Sequence, residues 1–295
     1  MHLLTSSLLN ANMRVALRTF FMSLALFNDS IEDLDNFLYE QPPCTIFDFK
    51  TEPNMKQKLL AINSLLFDET LEVNESIFEK IFQTNSQLKN HWESHKNFIK
   101  IFLEKHTQIA SLNCHEIYGW PLKRDNFVDP DISYLGFVAF GNGNFPFAAL
   151  FNHSCAPNVS KVFIDNKIVL IVQRAIDAGD QLFDNYGLNF TNFPRDFRQK
   201  ELSKYRFKCN CVACTEDFVL LPSLKTRDKK TFGLAKKIYA ELPSLNQKKA
   251  KQKIKEIAEI LQRQQKNFPS LEICSLMQSF SACLEIILRP EVLFQ

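Results

Sequence analysis

The sequence predicts an α+β protein in which a β-rich middle section lies between two helical regions. Apolar residues recur at helical spacing through residues 1–110 and again from Phe232 onward. Between Asn113 and Phe190 the pattern changes to short apolar runs separated by Gly, Asn, Asp and Pro, which is typical of strands and turns. Three cysteines then crowd into Cys209–Cys214, which indicates a metal-stabilised segment next to the β section.

The composition is that of an ordinary globular protein. The chain has 295 residues, of which 45% are hydrophobic and 23% charged, and its formal net charge of +2 predicts no strongly charged partner. The eight cysteines are too unevenly spread for a small secreted disulfide scaffold, so we expect a reducing compartment, cytoplasmic or nuclear. Arg14 and Arg18 interrupt the apolar stretch Leu3 to Phe27, which therefore predicts a buried amphipathic helix rather than a membrane span or a signal peptide.

The first 110 residues are predicted to be a series of helices. Proline breaks the region at Pro42-Pro43 and at Pro53, and Asn74 or Ser76 could cap a later helix. His91 and His95 have the spacing of a metal-binding pair, but no Glu lies between them in the manner of a zincin, so we interpret them as surface or packing histidines.

The middle section is predicted to contain four strands. The second and third are the best supported because they alternate around Asp165-Asn166, which favours a hairpin. The predicted order is a strand from Tyr134 to Phe140, a turn at Gly141-Asn142-Gly143-Asn144, the hairpin strands Val159 to Phe163 and Lys167 to Gln173, and a short strand from Leu182 to Tyr186.

The spacing Cys209-x-Cys211-x-x-Cys214 predicts a zinc site. Zinc prefers four tetrahedral ligands, and a structural site is closed by protein ligands alone. Three thiolates by themselves would leave an open position or need a remote partner. A remote cysteine fits best, because thiolate-rich sites are structural.

A polar sequence, Asn152-His153-Ser154-Cys155-Ala156-Pro157-Asn158, follows the apolar run Phe145 to Phe151. Together with the preceding Gly141-x-Gly143-x-Phe145-Pro146 and the later Gly179-Asp180-x-Leu182, it resembles the SET domain of the SET-and-MYND (SMYD) protein-lysine methyltransferases. The segment Tyr205-x-Phe207-x-Cys209-x-Cys211-x-x-Cys214 is similar to the post-SET zinc segment of that family. The resemblance covers about a hundred residues in matching order.

The resemblance implies a site for S-adenosyl-L-methionine. Asn152 and His153 match the pair that holds this cofactor, and Asn113 matches an upstream asparagine that also touches it. Phe207 matches an aromatic residue that packs on the adenine. Tyr186 is included in the cofactor site as well.

The resemblance also implies catalytic and metal-binding roles. Tyr186 and Tyr205 match the tyrosines that line the lysine channel, and Cys155 matches the fourth zinc ligand. A lysine amine has a reference pKa of about 10.4 and is unreactive while protonated. An aromatic channel would lower that pKa by desolvation, so that catalysis would rest mainly on alignment.

Parts of the family pattern have no counterpart in these residues. Every glycine lies at or after Gly119 and only Cys44 precedes Cys114, so neither the opening glycine turn of the SET domain nor the MYND zinc finger can be built. The expected segments are a helical SET-insert-like region at 1–110, a SET core at 111–190, a post-SET zinc segment at 191–216 and a shortened helical region at 217–295.

The expected function is methyl transfer to a lysine of a protein or peptide, whether histone or non-histone. The alternative is a zinc-stabilised SET-type interaction module with weak or no turnover. A nucleic-acid partner is disfavoured, because the basic residues are not interleaved with aromatic residues on strands. No membrane partner is expected, and the oligomeric state is left open.

Overall fold

The computed structural model describes residues 9–119, 138–164 and 167–288, which belong to two compact units. The first unit comprises Met1–Ile117 and Phe140–Leu150, and the second comprises Tyr118–Ala139 and Phe151–Gln295. Mixed helical and strand content is confirmed. The finer division predicted at residues 110, 190 and 216 stays a prediction.

The described part of the first unit is mainly helical. Its helices are α1 (Ala11–Leu26), α2 (Ile31–Glu40), α3 (Met55–Asn63), α4 (Glu75–Phe82) and α5 (Ser86–Asn113). Asn or Ser side chains cap each helix by accepting a hydrogen bond from the first turn, and Asn74 is the cap predicted for α4. The apolar face of α1 packs into the core, where the buried Phe20 ring lies edge-on to Phe82 and Phe102. The amphipathic helix is thus confirmed from Ala11 onward, while residues 1–8 lie outside the described chain.

One turn prediction was wrong. Strand β1 (Cys114–Gly119) pairs with β2 (Val138–Asn144), and β2 continues through the segment from Gly141 to Asn144. The ladder with β1 uses the backbone hydrogen bonds that a turn would have used internally. A Cβ at Gly143 would approach the Phe145 ring at 3.2 Å, so this glycine allows close packing. The predicted strand residues 134–137 lie outside the described chain.

The second unit contains two small strand pairs. Strands β4 (Val159–Ile164) and β5 (Lys167–Val172) form an antiparallel hairpin, as predicted, with Val159 opposite Val172. Its connecting residues 165–166 lie outside the described chain. Strands β3 (Asn152–His153) and β6 (Phe183–Asp184) pair in parallel. The strand predicted from Leu182 to Tyr186 is therefore only two residues long.

Helices complete the second unit. They are α6 (Arg195–Leu202), α7 (Val212–Thr215), α8 (Lys229–Glu241), α9 (Gln247–Gln264) and α10 (Leu271–Ile287). The last three pack around a shared apolar core, and the lysine-rich face of α9 is largely exposed, as predicted. Among the described residues, no helix combines the length and apolar character that crossing a membrane requires.

Candidate active site and metal centre

The β3–β6 pair joins two distant pieces of sequence. The Ser154 N–H donates to the Asp184 carbonyl at 2.8 Å, and the Asn185 side-chain amide donates to the Ser154 carbonyl at 2.9 Å. The Tyr186 N–H donates to Nδ1 of His153 at 3.1 Å. These bonds bring the predicted cofactor residue His153 beside the predicted catalytic residue Tyr186.

Two residues without a sequence-assigned role stabilise this junction. The Asn158 side chain accepts from the Phe183 N–H at 2.7 Å and donates to the Gln181 carbonyl at 2.9 Å. The Arg174 guanidinium donates to the carbonyls of Ala156 and Pro157 at 2.7 and 3.1 Å. Both side chains satisfy backbone groups of a polar turn, as buried turns require.

A buried ion pair lies behind the same junction. The Lys161 ammonium on β4 is 2.6 Å from Asp184 Oδ2 and also donates to the Asn185 carbonyl at 3.0 Å. The Asp184 side chain is 3% exposed, so its charge depends on Lys161 for compensation. Sequence reasoning missed this pair, because alternation marks Lys161 only as a strand residue.

The four predicted metal ligands come together. The Sγ atoms of Cys155, Cys209, Cys211 and Cys214 all lie within 4.8 Å of one another. Cys155 Sγ is 4.0 Å from Cys209 Sγ and 3.6 Å from Cys214 Sγ. Zinc–sulfur bonds of about 2.3 Å in a tetrahedron place neighbouring sulfurs about 3.8 Å apart. The two distances from Cys155 are close to this value, so the four thiols could together hold a tetrahedral metal ion.

Hydrogen bonds within the protein shape the cysteine segment. The Gln199 side chain accepts from the Cys209 N–H at 3.1 Å and donates to the Cys209 carbonyl at 2.7 Å. The N–H groups of Cys214 and Thr215 donate to the Cys211 carbonyl and so start α7. The pKa of the Cys211 thiol is well below its usual value, because the Cys155 and Cys209 side chains hydrogen-bond to it. A thiolate is the form that binds metal.

The aromatic residues predicted for the site also cluster. The Tyr186 ring lies 4.9 Å from the Tyr205 ring and 5.1 Å from the His153 ring, centroid to centroid. The Phe207 ring lies 6.2 Å from His153 and is 37% exposed. Between Tyr205 and Phe207, Arg206 adopts a left-handed conformation with φ of 61°. The metal segment thus presents its aromatic residues to the strand pair.

Tyr186 is a neutral phenol in this environment. Burial, together with the nearby Asp184 and Tyr205, raises its pKa to about 12. Its hydroxyl donates to the Phe151 carbonyl at 2.8 Å, which leaves the oxygen lone pairs as acceptors. Gly187 follows at φ of 91°, a conformation that favours glycine and turns the chain away directly after the tyrosine.

His153 links the two halves of the site. Burial lowers its pKa to about 4, so the ring is neutral near pH 7. Because Nδ1 accepts from Tyr186, the proton lies on Nε2, which faces Cys155 Sγ at 3.4 Å. Both ring nitrogens are therefore engaged within the protein.

The two predicted asparagines lie in different units. Asn152 belongs to β3 and is exposed beside His153. Asn113 ends α5 in the first unit, where its side-chain amide donates to the carbonyls of Leu66 and Ile109 at 2.6 and 2.9 Å. Its Oδ1 atom is not used in these two bonds. The cofactor role assigned to both residues stays a prediction.

The second unit therefore combines short paired strands, a tyrosine cluster and four cysteines that could hold a metal ion, one of which comes from the turn after β3. This combination defines a SET-type protein with a cysteine cluster that could bind zinc. Comparison with known families agrees, because the model of the family described as "SET domain" matches residues 35–187, just over half of the chain. The chain belongs to the SET-domain family.

Curated relatives confirm the resemblance to SMYD proteins. A putative SET domain-containing protein, L678, of Acanthamoeba polyphaga mimivirus is 29% identical over 54% of this chain and 62% of its own length. Histone-lysine N-methyltransferase SMYD3 of Mus musculus is 28% identical over 52% of this chain and 36% of its own. N-lysine methyltransferase SMYD2 of Gallus gallus is 27% identical over 63% of this chain and 37% of its own length. The chain thus spans 62% or less of the length of each of these three relatives.

Proposed function

We propose that this chain is a protein-lysine N-methyltransferase that uses S-adenosyl-L-methionine. The observation that carries the proposal is the cluster of Tyr186, Tyr205 and Phe207 around the buried His153, at the edge of the four-cysteine centre. The mouse and chicken relatives are named as lysine methyltransferases, and this chain is similar to both.

The residues around His153 suit the cofactor. When bound, S-adenosyl-L-methionine supplies an activated methyl group on a sulfonium centre. Phe207 offers a partly exposed ring on which an adenine can stack, and Asn152, next to His153 in the chain, is exposed as well. Since both ring nitrogens of His153 are already bonded, this residue would contribute its backbone and its ring face. Tyr186 completes the proposed cofactor set of this unit, and the cofactor role of Asn113, which belongs to the first unit, stays a prediction.

The tyrosines would prepare the substrate lysine. The two rings, whose centroids lie 4.9 Å apart, form one continuous aromatic surface that can shield a lysine side chain lying against it from water, and desolvation lowers the pKa of an ammonium group. The Tyr186 hydroxyl donates to Phe151, so its lone pairs are the groups that can accept a hydrogen bond from the amine. Tyr186 would thereby orient the nitrogen, while Tyr205 would extend the aromatic surface along the lysine side chain. No carboxylate base is required in this scheme.

Zinc is the proposed metal. Four thiolates with near-tetrahedral spacing make a closed site of the structural type, with no position left for water. The ion would hold the segment carrying Tyr205 and Phe207 to the turn carrying His153. Its proposed role is therefore to stabilise the aromatic cluster rather than to act on the substrate.

The first test is cofactor binding followed by methyl transfer. Calorimetric titration of the zinc-loaded chain with S-adenosyl-L-methionine should show saturable binding, and radiolabelled cofactor should label lysine in candidate proteins.

The substitution Tyr186→Phe tests the chemistry. It should lower the rate of methyl transfer by roughly 10- to 100-fold while changing cofactor affinity little, because it removes one oriented hydrogen-bond acceptor. Tyr239→Phe, on α8 and 41% exposed, is the matched control and should behave as wild type. Equal transfer rates for Tyr186→Phe and wild type would remove Tyr186 from the chemistry.

A zinc-stabilised interaction module is the second candidate. This candidate is favoured by the hydrogen bonds within the site. The polar groups of His153 and Tyr186 already bond to neighbouring protein atoms. A folded, zinc-loaded sample that binds no cofactor would support this candidate over the enzyme. In either case the proposed partner is a protein or peptide, in the cytoplasm or the nucleus.

A further inference from the structure

Helix α6 carries a positive charge into the core beside the metal centre. Arg198 and Leu202 lie one turn apart on the buried face of the helix, and both are 0% exposed. Among the described residues, Arg198 has the largest side chain that is fully buried. Arg195, on the same helix, is instead exposed and lies 3.9 Å from the surface residue Asp217. Burial is therefore specific to Arg198 and is not a general property of the basic segment.

Arg198 contacts one of the predicted metal ligands, Cys214. Its Nη2 atom lies 3.8 Å from Cys214 Sγ, and Nη1 donates to the Phe193 carbonyl. Its Nε atom has no hydrogen-bond partner among the described residues. Within the same residues, no ion pair links its guanidinium to a carboxylate. A neighbour of this cation that can carry a negative charge is the Cys214 sulfur, when it is a thiolate.

The positive charge of Arg198 and the negative charge of a zinc-loaded cysteine centre are complementary. Burying an unpaired cation costs several kcal/mol, so a fully buried guanidinium requires a nearby anion. Four thiolates around a divalent zinc ion leave a net charge of about −2 on the centre. Without the metal, the protonated members of the cysteine group would offer less negative charge. The position of Arg198 is thus most favourable when the centre holds its metal as a tetrathiolate.

We propose that Arg198 is the built-in counter-cation of the zinc centre and positions Cys214 through a charge-assisted N–H···S bond. Arg198 would partly neutralise the centre and hold the Cys214 thiolate on the metal. The side chain would also reduce the reactivity of that sulfur toward competing electrophiles, since donated hydrogen bonds withdraw charge from a thiolate. This inference rests on the zinc site of the proposed function.

The proposal predicts opposite effects of one substitution in two states. Arg198→Met keeps most of the side-chain volume and removes the charge. With zinc bound, the variant should be less stable than wild type and should lose zinc to a competing chelator more readily, with an affinity about 10- to 100-fold weaker. Without zinc and under reducing conditions, its melting temperature should equal or exceed that of wild type, because an uncompensated buried charge has been removed. A residue that only fills space would destabilise both forms.

The experiment compares full-length wild type, Arg198→Met and the surface control Arg195→Met. Each protein is loaded with zinc or with cobalt(II), whose thiolate charge-transfer band reports the charge on the sulfurs. Zinc transfer to a chromogenic chelator, melting with and without metal, and the position of the cobalt band are recorded. The expected result is a shifted band and faster transfer for Arg198→Met alone.

The outcomes separate the two proposals. Wild type without zinc affinity would overturn both the zinc site and the role of Arg198. Wild type with tightly bound zinc, and Arg198→Met with the same affinity and cobalt spectrum, would overturn the role of Arg198 only. If Arg198→Met does not fold, Arg198→Lys takes its place. The lysine keeps the charge but lacks the planar guanidinium, so zinc transfer should be faster than in wild type, and an unchanged rate would contradict the proposal.

Discussion

The buried histidine of α5 should make the protein sensitive to mild acid. His106 is 0% exposed, its ring stacks on Phe102 at 3.9 Å, and its Nδ1–H donates to the Phe102 carbonyl at 2.9 Å. Its Nε2 atom has no partner among the described residues. Burial lowers the pKa of His106 from 6.5 to about 4, so the folded protein holds this ring neutral.

The size of the effect follows from the difference between folded and unfolded pKa values. Because the folded value is the lower one, the stability that His106 contributes is present above pH 6.5 and is lost as the pH falls toward 4. At pH 5 this residue alone lowers the free energy of unfolding by about 2 kcal/mol relative to neutral pH, and below both pKa values the limit is about 3 kcal/mol.

Urea unfolding followed by far-ultraviolet circular dichroism between pH 7.5 and 5 measures this loss. His106→Gln should flatten the pH dependence by about 2 kcal/mol over that range, whatever its effect on stability at pH 7.5. His91→Gln, a less buried histidine on the same helix, should retain the wild-type dependence. Identical slopes for wild type and His106→Gln would refute the assignment of the acid sensitivity to His106.

Three further substitutions test the site. Lys161→Met leaves Asp184 buried without its cation and should lower the free energy of unfolding by about 3–5 kcal/mol in denaturant titrations, whereas adding Asp184→Asn should restore part of the loss. Gln199→Ala removes both side-chain bonds to the Cys209 backbone and should cost about 1–3 kcal/mol, with weaker zinc retention in a chelator assay; unaltered retention would show that Gln199 does not shape the metal segment. Cys211→Ser should lower the metal content to well below one equivalent and reduce the melting temperature, and a full equivalent of zinc by elemental analysis would contradict the four-cysteine site.

Local patterns predicted the elements whose formation depends on near neighbours. The β4–β5 hairpin followed from alternation around Asp165-Asn166, and the cap of α4 followed from Asn74. Cysteine spacing alone indicated a metal and the need for a remote ligand. Naming Cys155 as that ligand required the family resemblance, because the 54 positions that separate it from Cys209 carry no geometric information in sequence.

Features that depend on tertiary partners were not predictable. In the sequence Arg198 is one of several basic residues of its segment. Nothing in its local pattern predicts that it is buried next to Cys214, sixteen positions away. Lys161 pairs with Asp184 across 23 positions, and neither residue breaks the local pattern. Gly141 and Gly143 were assigned to a turn on composition, but pairing of β2 with β1 decided their conformation. In each case a partner distant in sequence determined the outcome.

The long span between Cys155 and the other ligands also concerns how the chain folds. A metal ion that joins Cys155 to Cys209 closes a loop of 54 residues, and Tyr186 and Tyr205 both lie inside it. Treated as a cross-link, such a closure removes about 4 kcal/mol of chain entropy from the unfolded ensemble. The closely spaced cysteines can capture an ion while the chain is still disordered, so docking of Cys155 would be the later step. Amide hydrogens throughout that loop should then exchange as one cooperative unit, whose opening requires release of a ligand from the metal.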